Sequence, residues 1–137
     1  MKKRSIALLL LLVLLTGCGA KTEEAPWQTA YRETGKYLQE QDTLSAGSVG
    51  GEWSVIGLSR AGLLSDEAAQ SYEQAAEDYV KQADSGRLDR AKSTENSRTI
   101  LGLTAAGYDA SNVAGVDLTS GLSDMNYLRI QGLNGPI

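Results

Sequence analysis

Histidine is absent from the 137 residues of this sequence. Histidine is the commonest general base, the usual partner of a nucleophilic serine and a frequent zinc ligand. Its absence removes the ordinary catalytic triads and most zinc sites. The sequence also lacks a G-x-G-x-x-G segment, a phosphate-binding loop and a nucleophile elbow. We therefore predict no catalytic residue, no metal site and no cofactor.

Cysteine occurs once, as Cys18, which rules out an intrachain disulfide. The residues before it, Leu-Thr-Gly at 15–17, make a segment that resembles the bacterial lipobox, in which the cysteine thiol accepts a diacylglycerol and becomes the mature N-terminus. Stable attachment to a membrane needs two or more acyl chains, which this modification supplies. We expect lipidation at Cys18. The alternative is an ordinary secretory signal in which Cys18 has no role.

Long apolar runs are also missing. The longest, residues 6–15, follows the basic residues 2–4 and has ten residues, whereas a membrane-spanning helix needs about 20. We therefore predict a lipoprotein signal peptide at residues 1–17, a tether at 18–25 and one folded domain at 26–137. The expected location is the extracellular face of the cell membrane, held by the lipid.

Basic residues are scarce once the signal is removed. Subtracting residues 2–4 leaves 13 − 3 = 10 basic residues against 17 acidic ones, a net charge of −7. Proteins hold nucleic acid mainly through clustered Lys and Arg. Nucleic acid is therefore not expected among the partners, and the lipid alone is expected to attach the chain to the membrane.

One apolar stretch occurs twice. Residues 55–62, VIGLSRAG, return 45 residues later as 100–107, ILGLTAAG. Recurrence at such a period is typical of supersecondary units that bury their apolar faces against one another. With helical spacing throughout, the pattern predicts an all-α fold of stacked helical hairpin repeats, and paired outer and inner helices at this period resemble the α/α-toroid. Residues 26–137 would hold about two and a half helix pairs, an incomplete ring.

Five helices are predicted, alternately outer and inner, and the last is a short outer helix that contains Leu122, Met125, Tyr127 and Leu128. The first starts at Pro26 and has a packed stripe containing Trp27, Tyr31 and Tyr37. The second, near residues 52–61, is apolar on most sides and is expected to be buried all round. The third packs on one face, through a stripe made of Ala68, Ala69, Tyr72, Ala75, Ala76, Tyr79, Val80 and Ala83. The fourth, residues 95–106, is again an inner helix.

The helix ends are predicted from local signals. Ser65 and Thr94 are expected to cap the third and fourth helices. Gly62, Gly86 and Gly107 are expected to end the second, third and fourth helices.

Two segments carry a resemblance to a known family. Residues 131–137, QGLNGPI, are similar to the Q-x-x-x-G-x-W repeat of squalene cyclases, with Ile137 in place of Trp. Residues 51–53, Gly-Glu-Trp, match the G-x-W end of that repeat, and Gly47 stands at the Gln position. In the middle unit, 45 residues further on, Asn96 and Arg98 depart from the pattern.

More specifically, the chain from residue 27 to 137 resembles secreted or surface toroid proteins of anaerobic Gram-positive bacteria that carry prenyltransferase/squalene oxidase repeats. The residues that carry this resemblance are 94–98, 100–109, 112–113 and 131–137. The resemblance implies the terpenoid cyclase-like superfamily. That architecture includes cobalamin carriers and thioester-containing domains as well as cyclases, so the fold does not fix the function.

The chemistry of those enzymes is missing from this sequence. Squalene-type cyclases protonate their substrate with a D-x-D-D box, and prenyltransferase-like zinc binding combines Asp, Cys and His; neither set is present. We therefore predict a lipid-anchored cell-surface helical-repeat protein that binds a small apolar ligand or a surface protein without catalysis. The alternative is the N-terminal part of a terpene cyclase or prenyltransferase-like enzyme whose catalytic residues lie beyond Ile137. The helix start at Pro136, one residue before the last, favours a fragment.

Four residues at the starts of the inner helices form a candidate binding site: Glu52, Trp53, Glu95 and Arg98. In a toroid these helix starts surround one mouth of the central cavity. Trp53 would offer a flat apolar face, and Arg98 a forked donor for an anion or a carboxylate. The alternative is structural: Trp53 belongs to the core, and Arg98 pairs with Glu95 or with a helix end.

Overall fold

A computed structural model describes residues 24–41, 44–83 and 85–129. The helices are α1 (Pro26–Gln39), α2 (Val49–Ala61), α3 (Asp66–Lys81), α4 (Ser93–Ala106) and α5 (Met125–Leu128), with a 3-10 helix at Ser120–Ser123. Over these ranges the chain forms no strand, and the all-α prediction is confirmed. The predicted signal peptide, Cys18 and the cyclase-like segment 131–137 lie outside the described residues.

The chain divides into two units between residues 30 and 31, inside α1. In the first unit, the N–H of Ala25 donates to Oε1 of Gln28 at 2.8 Å, which fixes the start of α1 beside Pro26. The packing described below lies in the second unit.

Helix α1 does not bury the predicted aromatic stripe. Trp27, Tyr31 and Tyr37 are exposed, and Gly35 is the one buried residue of the helix. Gly35 is buried because the side chain of Leu63 lies where a Cβ would stand. The predicted packed stripe is therefore wrong, because α1 meets the rest of the second unit beside Gly35 rather than through its aromatic side chains.

The two copies of the repeated stretch end in the same way. Gly62 and Gly107 are left-handed, with φ of 67° and 90°. The following residue closes each helix: Leu63 N donates to the Leu58 carbonyl at 2.9 Å, and Tyr108 N donates to the Leu103 carbonyl, also at 2.9 Å. Both predicted stops are confirmed, and the hydrogen bonds that close the two helices are 45 residues apart in the sequence.

Helices α2 and α4 pack against each other, with Val55, Leu58 and Leu103 in the core. The hydroxyl of Ser59 donates to the Ala105 carbonyl at 2.6 Å and joins the two helices. The prediction that α2 is buried all round is wrong, since Trp53 is 54% exposed. The reason is that α2 buries one side, and none of the described elements covers the other.

Helix α3 packs the predicted stripe against α4, with Ala69, Tyr72, Ala76 and Val80 buried. The other stripe residues, Ala68, Ala75, Tyr79 and Ala83, are half-buried, and Ala83 lies beyond the end of the helix. Ser65 caps α3, because its hydroxyl accepts the N–H of Ala68 at 3.2 Å, as predicted. The ring of Tyr72 packs on Gly102 of α4, where a Cβ would come within 2.9 Å of a ring carbon.

Two predicted helix ends are wrong. Helix α3 ends at Lys81, not at Gly86, which instead packs in the following loop close to the Asp117 carbonyl. Helix α4 begins at Ser93, and Lys92 stands at the cap position with no side-chain bond, so Thr94 is not the cap. Both ends are set by the packing of the loops around them rather than by a local capping signal.

Candidate functional site

Three of the four predicted site residues come together. Arg98 Nε donates to Glu52 Oε2 at 3.1 Å across the α2–α4 contact, and Arg98 Nη2 donates to Glu95 Oε2 at 2.5 Å within α4. We call Glu52, Glu95 and Arg98 the acid–arginine cluster. The Arg98–Glu95 pair that the structural alternative predicts is confirmed.

Glu52 is the buried centre of this cluster, with a side chain that is 0% exposed. Its second oxygen, Oε1, accepts the N–H of Gly47 at 2.6 Å, so the carboxylate also holds the loop before α2. Gly47 has a φ of 72° and lies under the ring of Tyr79. Each oxygen of Glu52 thus has a donor, which is what a buried carboxylate requires.

The charges of the cluster shift the pKa values of its neighbours. Burial lowers the pKa of Arg98, but its bonds to Glu52 and Glu95 and their charges outweigh burial and raise it above the ordinary value. Burial raises the pKa of Tyr72, with a further rise from Glu52 and an opposing effect of Arg98. Burial and the charge of Glu95 likewise raise the pKa of Tyr79. The guanidinium stays charged and both phenols stay neutral at ordinary pH.

The three charged groups of the cluster are directed at one another. Two carboxylates surround one guanidinium, and the side chains of Arg98 and Glu95 are 12% and 14% exposed. This arrangement joins the starts of α2 and α4 to the loop before α2. The binding role of these three residues stays a prediction.

Trp53 lies apart from the hydrogen bonds of this cluster and belongs to a different surface. It is not a core residue, contrary to the structural alternative, because just over half of it is exposed. It lines a groove of about 460 Å³ between α2 and α4, which we call the α2–α4 groove. Its lining residues are Trp53, Ile56, Ser59, Arg60, Leu101, Thr104 and Ala105.

The groove follows from helical spacing on the two repeated stretches. Trp53, Ile56 and Arg60 are spaced by three and four residues on α2, and Leu101 and Thr104 by three on α4, so each set lies on one helix face. The Ser59–Ala105 hydrogen bond joins the helices where their lining residues meet. The result is an apolar groove with one cationic side chain.

Sequence reasoning missed a buried polar residue in the second repeat. Asn96 is fully buried and donates through Nδ2 to the carbonyls of Gly86 and Leu118. Its Oδ1 accepts the N–H of Leu88 and the hydroxyl of Tyr127, each at 2.9 Å. Asn96 therefore holds the loops around the start of α4. The signal was its departure from Gly51, the residue 45 positions earlier.

A second depression, of about 360 Å³, lies among the end of α1, the start of α3 and the segments beside α2. It mixes apolar side chains such as Leu38 and Leu63 with polar ones such as Gln39 and Glu67, so it offers no continuous apolar wall. Among the described residues there is no cluster of metal-ligating side chains. In the same ranges, no helix has both the length and the apolar character to span a bilayer.

Comparison of the chain with protein families, curated proteins and solved structures gives no match. The function therefore has to be argued from the groove and the cluster themselves.

Proposed function

We propose that this protein is a lipid-anchored cell-surface helical-repeat protein that binds a small apolar ligand in the α2–α4 groove without catalysing a reaction. The observation that carries the proposal is the pair of half-exposed apolar side chains in the groove, Trp53 at 54% and Leu101 at 51%. Both stand on helices whose other sides are packed in the core.

The dimensions and chemistry of the groove support a small ligand. Its volume of about 460 Å³ lies in the usual range of ligand pockets, roughly 300 to 1,000 Å³. The indole of Trp53 offers a large flat apolar surface, and Ile56 and Leu101 continue it. Burying such surface is favourable by about 25 cal/mol per Å², so an apolar ligand gains affinity without a directional partner.

The architecture is part of the proposal. We infer that α2 and α4 are successive inner helices of an α/α-toroid-like repeat and that α3 is an outer helix between them. Support comes from the contact of α2 with α4, the one-sided burial of α3, and the identical ends of the two repeats. In such a ring the α2–α4 groove would face the central cavity.

Binding is measured with N-phenyl-1-naphthylamine, an uncharged apolar fluorophore, on the mature chain 18–137 carrying Cys18→Ser. This is the processed protein without its lipid, so no detergent competes for the probe. The sequence has two tryptophans, and Trp27→Phe leaves Trp53 as the single donor for energy transfer. We expect saturable energy transfer from Trp53 to the bound probe.

Leu101→Gln is expected to weaken this binding about fivefold, the effect of losing about 1 kcal/mol of apolar contact. Met125→Gln is the matched control, because Met125 is exposed on α5 and does not line the groove. Equal losses in the two variants, or no energy transfer in the parent protein, would refute the proposed site.

A further inference from the structure

We propose that the ligand of the α2–α4 groove is a small amphiphile with an apolar chain and one carboxylate, and that Arg60 binds the carboxylate. This inference rests on the binding function proposed above and adds the charge of the ligand. It identifies Arg60 as the residue that selects an anionic ligand over an uncharged one.

Arg60 is placed to act on a ligand in the groove. It lines the groove on the same α2 face as Trp53 and Ile56, and it is exposed. Its guanidinium makes no ion pair or side-chain hydrogen bond within residues 24–41, 44–83 and 85–129. The forked donor that matches a carboxylate is therefore free at the groove.

The charge pattern around Arg60 favours a single anion. Among the residues that the structure describes, no acidic side chain lines the groove, although the sequence as a whole has a net charge of −4. In the acid–arginine cluster, by contrast, Arg98 is held by two carboxylates. An unpaired arginine beside exposed apolar side chains is complementary to a molecule with one acidic end and an apolar body.

The repeat itself does not require an arginine at this position. The residue 45 positions after Arg60 is Ala105, and both repeated helices end with the same glycine closure. Arg60 does stand in the last turn of α2, where a cation complements the helix dipole. That role leaves its N–H groups available. Arg60 is thus a departure from the repeat that places a cation at the groove, and departures from local regularity are expected at functional sites.

The test compares decanoate with decan-1-ol, which share an apolar chain and differ in charge. Each is titrated against N-phenyl-1-naphthylamine bound to the protein, and the ratio of the two displacing concentrations is recorded. An apolar groove without a cation would favour the alcohol, because an ionised carboxylate loses its hydration on entry. We expect Arg60→Gln to shift the ratio about fivefold towards the alcohol, the effect of one partly exposed ion pair.

Two variants control for charge. Arg60→Lys keeps the cation and is expected to keep most of the preference for decanoate. Lys36→Gln removes an exposed cation outside the groove and is expected to leave the ratio unchanged. Added salt should reduce the preference in the parent protein and leave the ratio of Arg60→Gln unaltered.

The outcomes separate the two proposals. If N-phenyl-1-naphthylamine does not bind, the proposed function itself is wrong. If the probe binds and Leu101→Gln weakens it, but Arg60→Gln and Lys36→Gln give the same ratio as the parent, then the groove binds apolar ligands and the role of Arg60 is refuted.

Discussion

The hydroxyl of Tyr72 is buried without a hydrogen-bond partner among the described residues, although the ring around it packs well. It lies against Gly102 and near the charges of Glu52 and Arg98. A buried hydroxyl that has left water without gaining a partner costs free energy of folding. Tyr127 is the opposite case, since two acceptors lie 2.9 Å from its buried hydroxyl, the Asp89 carbonyl and Asn96 Oδ1, and they share its single proton.

Replacing Tyr72 by phenylalanine should therefore stabilise the protein. We expect Tyr72→Phe to raise the free energy of unfolding by about 1 kcal/mol, measured by urea denaturation near neutral pH. The matched change Tyr127→Phe should lower it by about 1 to 2 kcal/mol, because the two buried acceptors lose the hydroxyl proton that they share. A loss of stability in both variants would show that the Tyr72 hydroxyl has a partner.

Tyr72→Phe should also change how the free energy of unfolding depends on pH. Burial raises the pKa of Tyr72 above its ordinary value of 10.0, so the unfolded chain ionises this phenol before the folded chain does. Ionisation of Tyr72 in the unfolded chain therefore lowers the free energy of unfolding as the pH rises above about 10, and it has no effect below that pH. Tyr72→Phe should reduce the fall in stability between neutral pH and about pH 11. An unchanged slope would contradict the burial of the phenol.

The site could be predicted from the sequence in part. Glu52, Glu95 and Arg98 stand at the starts of repeated helices, and the repeat brings these starts together. The sequence did not indicate that Glu52 is fully buried, because its partner Arg98 is 46 residues away. Nor did it indicate that Trp53 is exposed, because an apolar residue on an apolar helix gives no sign of which side a neighbour covers.

Among the helices, the repeat places one pair of glycines in contrasting surroundings. Gly57 of α2 and Gly102 of α4 are 45 residues apart and both lie inside a helix. A Cβ at Gly57 would have no neighbour within 4 Å, whereas a Cβ at Gly102 would meet the hydroxyl and ring of Tyr72. The same substitution should therefore have opposite effects in the two helices.

We expect Gly57→Ala to stabilise the protein by up to about 1 kcal/mol, because alanine is the better helix former and nothing is displaced. Gly102→Ala should destabilise it by about 1 to 3 kcal/mol, because the α3–α4 contact must open. Thermal unfolding of the two variants measures the difference. In the Tyr72→Phe background part of the Gly102→Ala loss should be recovered, since the hydroxyl is the nearest atom. Equal effects of the two alanines would disprove the close approach of α3 to α4.

Helix ends could be predicted where the signal is local. Gly62 and Gly107 end their helices because a left-handed residue closes the last turn wherever the helix packs. Gly86 and Thr94 gave equally plausible local signals, yet the packing of the loop onto residues 117 to 121 and onto Asn96 sets both ends. Tertiary contacts override a local signal there.

At the scale of the whole molecule, we propose that the helical repeat binds the ligand and that the lipid attaches the chain to the membrane. The helices bury one side of the repeat and leave apolar side chains of α1, α2 and α4 exposed. Within the described ranges, none of these helices qualifies as a membrane span. The apolar run at residues 6–15 is itself half the length a span needs. Independently of that finding, we propose that the acyl chains at Cys18 attach the chain to the membrane.

Cys18→Ser should then release the protein from the membrane. A thioether to diacylglycerol cannot form on serine, so the acyl chains that hold a lipoprotein in the bilayer are lost. We expect the parent protein in the membrane fraction after an alkaline carbonate wash, and Cys18→Ser in the soluble fraction. Ser5→Ala changes the same leader without touching the cysteine and should stay with the membrane. Retention of Cys18→Ser in the washed membranes would show that something other than this lipid attaches the chain.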